Sequence, residues 1–107
     1  MQQMILTTTH VIQDKSVSRY LGIVSGEVVM GANVFRDIAA GIRNVTGGRT
    51  RAYEETLRDS RNDALREMAE RAQELGANAV IGVELGYETV GQNMLMVTAS
   101  GTAVVVG

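Results

Sequence analysis

The stretch NMLMVTASGTAVVV, residues 93–106, decides how the chain is read, because it is apolar without containing a charge. Residues 89–107 carry no charged side chain at all, and that length approaches the span of a membrane helix. Its composition argues for a strand. Thr98, Ser100 and Thr102 interrupt the apolar positions, glycines stand at 91, 101 and 107, and the second half is β-branched. Alternation places Leu95, Val97, Ala99, Gly101, Ala103 and Val105 on one face, opposite Met94, Met96, Thr98, Ser100, Thr102 and Val104. Neither face is charged, and Met94–Val106 runs to about twice the usual strand length. Such a strand, above all at a sheet edge, is a template for unwanted pairing unless something covers it. The expectation is that another copy of the chain does so.

Working backwards, Gly91, Gln92 and Asn93 read as a three-residue hairpin loop joining this strand to a partner over Asn78–Val90. Ala79, Ile81, Val83, Leu85 and Tyr87 are expected on one face of that partner, and Val80, Gly82, Glu84, Gly86 and Glu88 on the other. Upstream, a long amphipathic helix starts near Arg51, with Tyr53, Leu57, Ala64, Leu65, Met68, Ala72 and Leu75 on its apolar face. Gly76 suits a left-handed C-terminal cap, and Glu67 to Arg71 is a favourably oriented i to i+4 pair.

Asn33 reads as the N-cap of a shorter helix carrying Val34, Phe35, Ile38, Ala39, Ile42 and Val45, which Thr46, Gly47 and Gly48 end. Met4–Thr9 and Val17–Met30 read as strands, the second with glycines at 22 and 26 that imply bends or close backbone approach. The order is β-β-α-α-β-β. It predicts one α+β domain over residues 1–107.

Composition narrows the function. At 107 residues, 45% hydrophobic and 21% charged, the sequence is that of a globular domain, with no repeat or linker. A net charge of −2 lacks the basic surface that neutralises nucleic-acid phosphates. The first ten residues have no basic, apolar or cleavage region of a signal peptide, so a cytoplasmic location is expected. No cysteine is present, which removes disulfides, thiolate metal sites and cysteine catalysis.

The stretch GIRNVTGGRTRAYE, residues 41–54, has the look of a phosphate loop but fails its spacing. One register needs glycine where Arg43 stands, and the other needs it at Thr46. Two readings follow. The paired glycines turn the chain between helices, or the N-terminus of the second helix, with Arg43, Arg49 and Arg51 nearby, holds a phosphate-bearing ligand. For metals, His10 is one histidine alone and is read as a solvent-facing turn residue. Glu84 and Glu88 share a strand face, and repetition in a ring could multiply them into a carboxylate site for a hard cation. Catalysis has weaker support. Ser25 and Ser60 lack an orienting base, and Glu54 and Glu55 point about 100° apart on a helix. Met94 and Met96 are read as core or interface filling.

Three segments, GEVVMGANVFRDIAAGIRNVTGGRTRAYEETL (26–57), ELGANAVIGVELGYETVG (74–91) and VTASGTAVVV (97–106), resemble the YbjQ-like family of uncharacterised bacterial proteins. The resemblance implies a subunit of the dodecin-like fold, α+β with helices packed on an antiparallel sheet, assembled as a ring, a pentamer, with a heavy-metal-binding role. It carries over no catalytic residue, and it implies metal ligands that cannot be placed on a chain without cysteine. The functional expectation is a homo-oligomeric binding or scaffold protein rather than an enzyme. The alternative is a hydrolase or transferase with a carboxylate site at a subunit interface.

Overall fold

The structure, a computed structural model, describes residues 3–31, 47–91 and 94–107, and for residues 47–53 the backbone path alone. Five elements are present among them: β1 (Ile5–Leu6), β2 (Val17–Met30), α1 (Gly47–Glu74), β3 (Ala79–Val90) and β4 (Met94–Val106). The shorter helix expected from Asn33 lies outside the described residues. One helix packs on a four-stranded sheet of order β1-β3-β4-β2, so the α+β expectation holds in this form. The sheet is not wholly antiparallel, because β1 runs parallel to β3, pairing Ile5 with Ala79 and Leu6 with Val80.

The position of β4 overturns the expectation that a sibling chain must cover it. It lies inside its own sheet, antiparallel to β2 along one side and to β3 along the other. Val97, Ala99 and Ala103 point into the core beneath the helix, and Val104 and Val106 into a smaller cluster on the opposite face. A strand with both backbone edges paired, and buried at both faces over its second half, can be free of charge without any partner.

α1 is seated by three small residues and one methionine. Ser60, Ala64, Met68 and Ala72 recur every fourth position and are all buried, so they form one stripe along the helix. That stripe lies across β2 and β4 and barely touches β3. Where it crosses β2 the strand has Gly26, and a Cβ there would overlap the Ala64 carbonyl oxygen and come within 2.7 Å of the Met68 amide nitrogen. The strand glycine is therefore a close-approach site. Helix backbone rests on strand backbone at this point, while the fully buried Met68 fills the space beside it.

The helix ends as expected. Gly76 has φ +92°, its N–H donates to the Gln73 carbonyl, and the Ala77 N–H donates to Ala72 at 3.0 Å, the two bonds of a Schellman cap. Arg71 pairs with Glu67 at 2.8 Å and also donates to the Ser25 carbonyl oxygen at 2.7 Å, tying the last turns to β2. The start differs from expectation. Gly47 and Gly48 are the first residues of α1 rather than a turn before it, and the first turn has no acidic residue. Glycine adopts helical and turn dihedrals alike, so a glycine pair alone does not distinguish them.

The expected alternation of β3 also breaks. Gly82 has φ +61° and sits in a bulge between the paired positions Ile81 and Glu84. The extra residue reverses the faces. Val80 and Val83 both enter the main core, whereas Ala79 and Ile81 join the second cluster with Ile5, Ile12 and Val17. The bulge exposes two successive donors, and the N-terminal arm takes both: Gly82 N–H bonds to the Thr9 carbonyl at 2.9 Å and Val83 N–H to Thr7 at 3.0 Å. Asn78 finishes this end by exchanging two 2.8 Å bonds with the Val106 backbone.

Two stability outcomes follow. Gly26→Ala is expected to lose about 1–3 kcal/mol in urea unfolding, since the new methyl meets backbone on the far side rather than a movable side chain. Met68→Ala is expected to lose about 2–5 kcal/mol by opening a cavity. An unchanged unfolding midpoint for Gly26→Ala would show that helix and strand are not in backbone contact.

Candidate functional site

The sheet face turned away from α1 is closed at one end and open at the other. At the closed end the N-terminal arm lays Ile5, Ile12 and Val17 over Ala79, Ile81, Val104 and Val106. Beyond the bulge nothing among the described residues covers it. Register gives the rows of this open half. Glu84 faces Ser100, which faces Ser25; Gly86 faces Thr98, which faces Glu27; Glu88 faces Met96, which faces Val29. It is a surface of hydroxyls and carboxylates bordered on β2 by the exposed Val29, while Ile23 and Tyr20, 85% and 72% exposed, lie further along the same strand, level with Thr102 and Val104.

Glu84 and Glu88 are thus placed on one face, as expected, and Glu27 joins them, a residue the strand pattern alone could not assign. Four residues of strand separate the first two by about 13 Å, and Glu27 lies two strands away, about 12 Å from each. A carboxylate site for a hard cation holds its oxygens at about 2.3–2.6 Å from the ion. Three glutamates at such spacing cannot converge on one ion within a chain. Among the described residues no group of three or more histidine, cysteine, aspartate or glutamate side chains could hold a metal.

The remaining candidates scatter. Arg43 lies outside the described residues, and Arg49 and Arg51 fall in the first turns of α1, where the backbone alone is described. Ser60 is buried on the helix face against the sheet. Ser25 lies on the open sheet face, with its carbonyl oxygen accepting from Arg71. His10 is exposed, as expected, but its ring is not adrift: Cε1 and Nδ1 lie 3.2 Å from where a Cβ at Gly82 would stand. Met94 and Met96 belong to the open face rather than to the core.

On the helix side, α1 leaves β3 uncovered from Leu85 onward. A groove of about 250 Å³ runs there between Leu6, Thr7, Thr8, Leu65, Val83 and Leu85, and Tyr87 beyond it is 46% exposed. No helix among the described residues is long and apolar enough to cross a membrane.

The donor set does not suit a thiolate- or imidazole-bound metal. Zinc and its heavier relatives are held mainly by sulfur and nitrogen, with carboxylate oxygens completing some sites, and the sequence offers no cysteine and one histidine. Because Glu84 and Glu88 are solvent-facing, Glu84→Gln and Glu88→Gln are each expected to shift unfolding free energy by less than about 0.5 kcal/mol. Thermal or urea melts check this, and a larger loss would show that these acids hold the sheet together.

Comparison with known proteins adds the following. The model of the family YbjQ_1, described as putative heavy-metal-binding, matches residues 4–107. A solved structure, a protein of unknown function of the DUF74 family from Pediococcus pentosaceus, is similar in fold with a TM-score of 0.65 at 16% identity. The alignment covers 97% of this chain and 98% of that one.

Proposed function

Because the chain belongs to the YbjQ_1 family, we propose that it is a homo-oligomeric binding or scaffold module, a closed ring of about five copies, working by binding rather than turnover. One observation carries this reading: the sheet has two unlike strand edges left unpaired among the described residues, each bordered by exposed apolar side chains. The outer edge of β2 is flanked by Tyr20, Ile23 and Val29. The outer edge of β3 is free from Glu84 onward, past the reach of β1, beside Leu85 and Tyr87.

Long unprotected edges of this kind are a hazard in a monomer. Joining β2 of one copy to β3 of the next is a head-to-tail contact, and such contacts close into rings when the rotation permits. β4 itself gives no ground for a ring, because its own sheet pairs it on both sides. A ring also answers the spacing of Glu27, Glu84 and Glu88, because a site for a hard cation can gather oxygens from adjoining copies that one chain holds too far apart.

Light scattering on the purified chain at micromolar concentration is expected to give several times the 11.5 kDa of one copy. Ile23→Lys with Tyr87→Lys is expected to shift it to single chains while circular dichroism keeps its helix signal. A wild-type mass of one copy would remove the ring. Calorimetry with magnesium, calcium and manganese reads the ligand separately: heat that disappears in Glu84→Gln supports the shared carboxylate site, and silence leaves the scaffold role.

A further inference from the structure

The family description and the donor set of this chain disagree, and the disagreement is informative. We infer that this protein does not select zinc, cadmium or cupric ions, so the ligand of the proposed module belongs to another class; this rests on the binding reading above only for what it excludes. The sulfur and nitrogen inventory comes from the whole sequence, including residues the structure does not describe: no cysteine and one histidine. Structural sites for such ions take four ligands, and catalytic ones take three from the protein. A single copy supplies one imidazole and otherwise only carboxylates, carbonyls, hydroxyls and thioethers.

Symmetry is the one route around that shortage, since a ring repeats each histidine. Repetition alone does not complete a set. His10 sits on the N-terminal arm with its ring against Gly82, two residues before Glu84, and among the described residues no three histidine, aspartate or glutamate side chains come together to hold a metal. Its arm is fixed there by the Thr7 and Thr9 carbonyls bonding the bulge, and by the Thr9 hydroxyl, which shares a 2.8 Å bond with the Thr7 hydroxyl and donates to the Val11 carbonyl at 2.7 Å. Two thioethers, Met94 and Met96, share the open face about 7 Å apart along the strand. They are soft, neutral ligands that favour cuprous rather than zinc or cupric ions, and they do not complete a set.

The test uses the full chain in whatever assembly light scattering finds. Zinc, cadmium and cupric chlorides are each offered in competition with a chromophoric chelator, followed by buffer exchange and elemental analysis. The expected result is that the chelator keeps the metal and fewer than about one chain in ten retains an ion, with His10→Ala indistinguishable from wild type. Retention of one ion per chain, or one per assembly, overturns the inference; loss of that ion in His10→Ala would locate it on converging imidazoles, and its persistence would locate it on oxygen ligands. The mass measured on the same sample reports the ring independently, so failure of one reading does not disguise failure of the other.

Discussion

The architecture depends on how closely α1 can approach the sheet. Gly26 gives the helix a place to rest backbone on backbone, and Ala64 and Ala72 above, with Ala99 and Ala103 below, keep the layers thin on either side of it. Alanines buried without exposure contribute little transfer energy each. Their value lies in permitting dense contact, since dispersion falls away within a fraction of an ångström of gap. Larger side chains, Met68 among them, then fill the flanks. Where the stripe of small residues is absent the helix no longer covers the sheet, and that is the β3 side, where Leu85 and Tyr87 stay exposed.

This seating explains why β4 is uncharged and also why it needs no outside help. A central strand has its hydrogen bonds satisfied on both sides, and over its second half the helix covers one face while the N-terminal arm covers the other. Charge at Ala99, Ala103 or Val104 would be buried without a partner. The polarity of Thr98, Ser100 and Thr102 marks the other condition, a face only half removed from water. The hydroxyls are the residue of one-sided burial.

The long helix, its Gly76 cap, the Glu67–Arg71 pair and the final hairpin were legible in the sequence because each is local: a period, a glycine just past a helix end, an i to i+4 spacing, a short loop. What escaped it depended on tertiary partners. In Ala79–Val83 every side chain is apolar or absent, so a period of two selects no face, and nothing local announces that Gly82 inserts a bulge. Both faces there are buried, one by α1 and one by the arm. Gly47 and Gly48 were ambiguous for a related reason, since glycine fits a helical first turn as well as a loop. The candidate site was half legible: Glu84 and Glu88 share a face as alternation required, but Glu27 enters only once β2 is known to lie beyond β4.

The spacing of those acids bears on what kind of function the fold can have. Within one sheet, side chains on a common face repeat at about 6.6 Å along a strand and about 4.8 Å across strands, and here the carboxylates skip positions in both directions. Such spacing keeps like charges far enough apart that each stays solvated, at no cost to the fold, and it also keeps them from acting jointly on one proton or one ion. The exposed apolar margin formed by Tyr20, Ile23 and Val29 has no comparable purpose in an isolated chain, because desolvating it is favourable and it borders an unpaired edge. In the ring proposed above, chemistry and assembly would converge on one boundary: a site on the open face would gain its missing ligands where a neighbour's strand met β2 or β3, and the same contact would remove the hydrophobic margin from water.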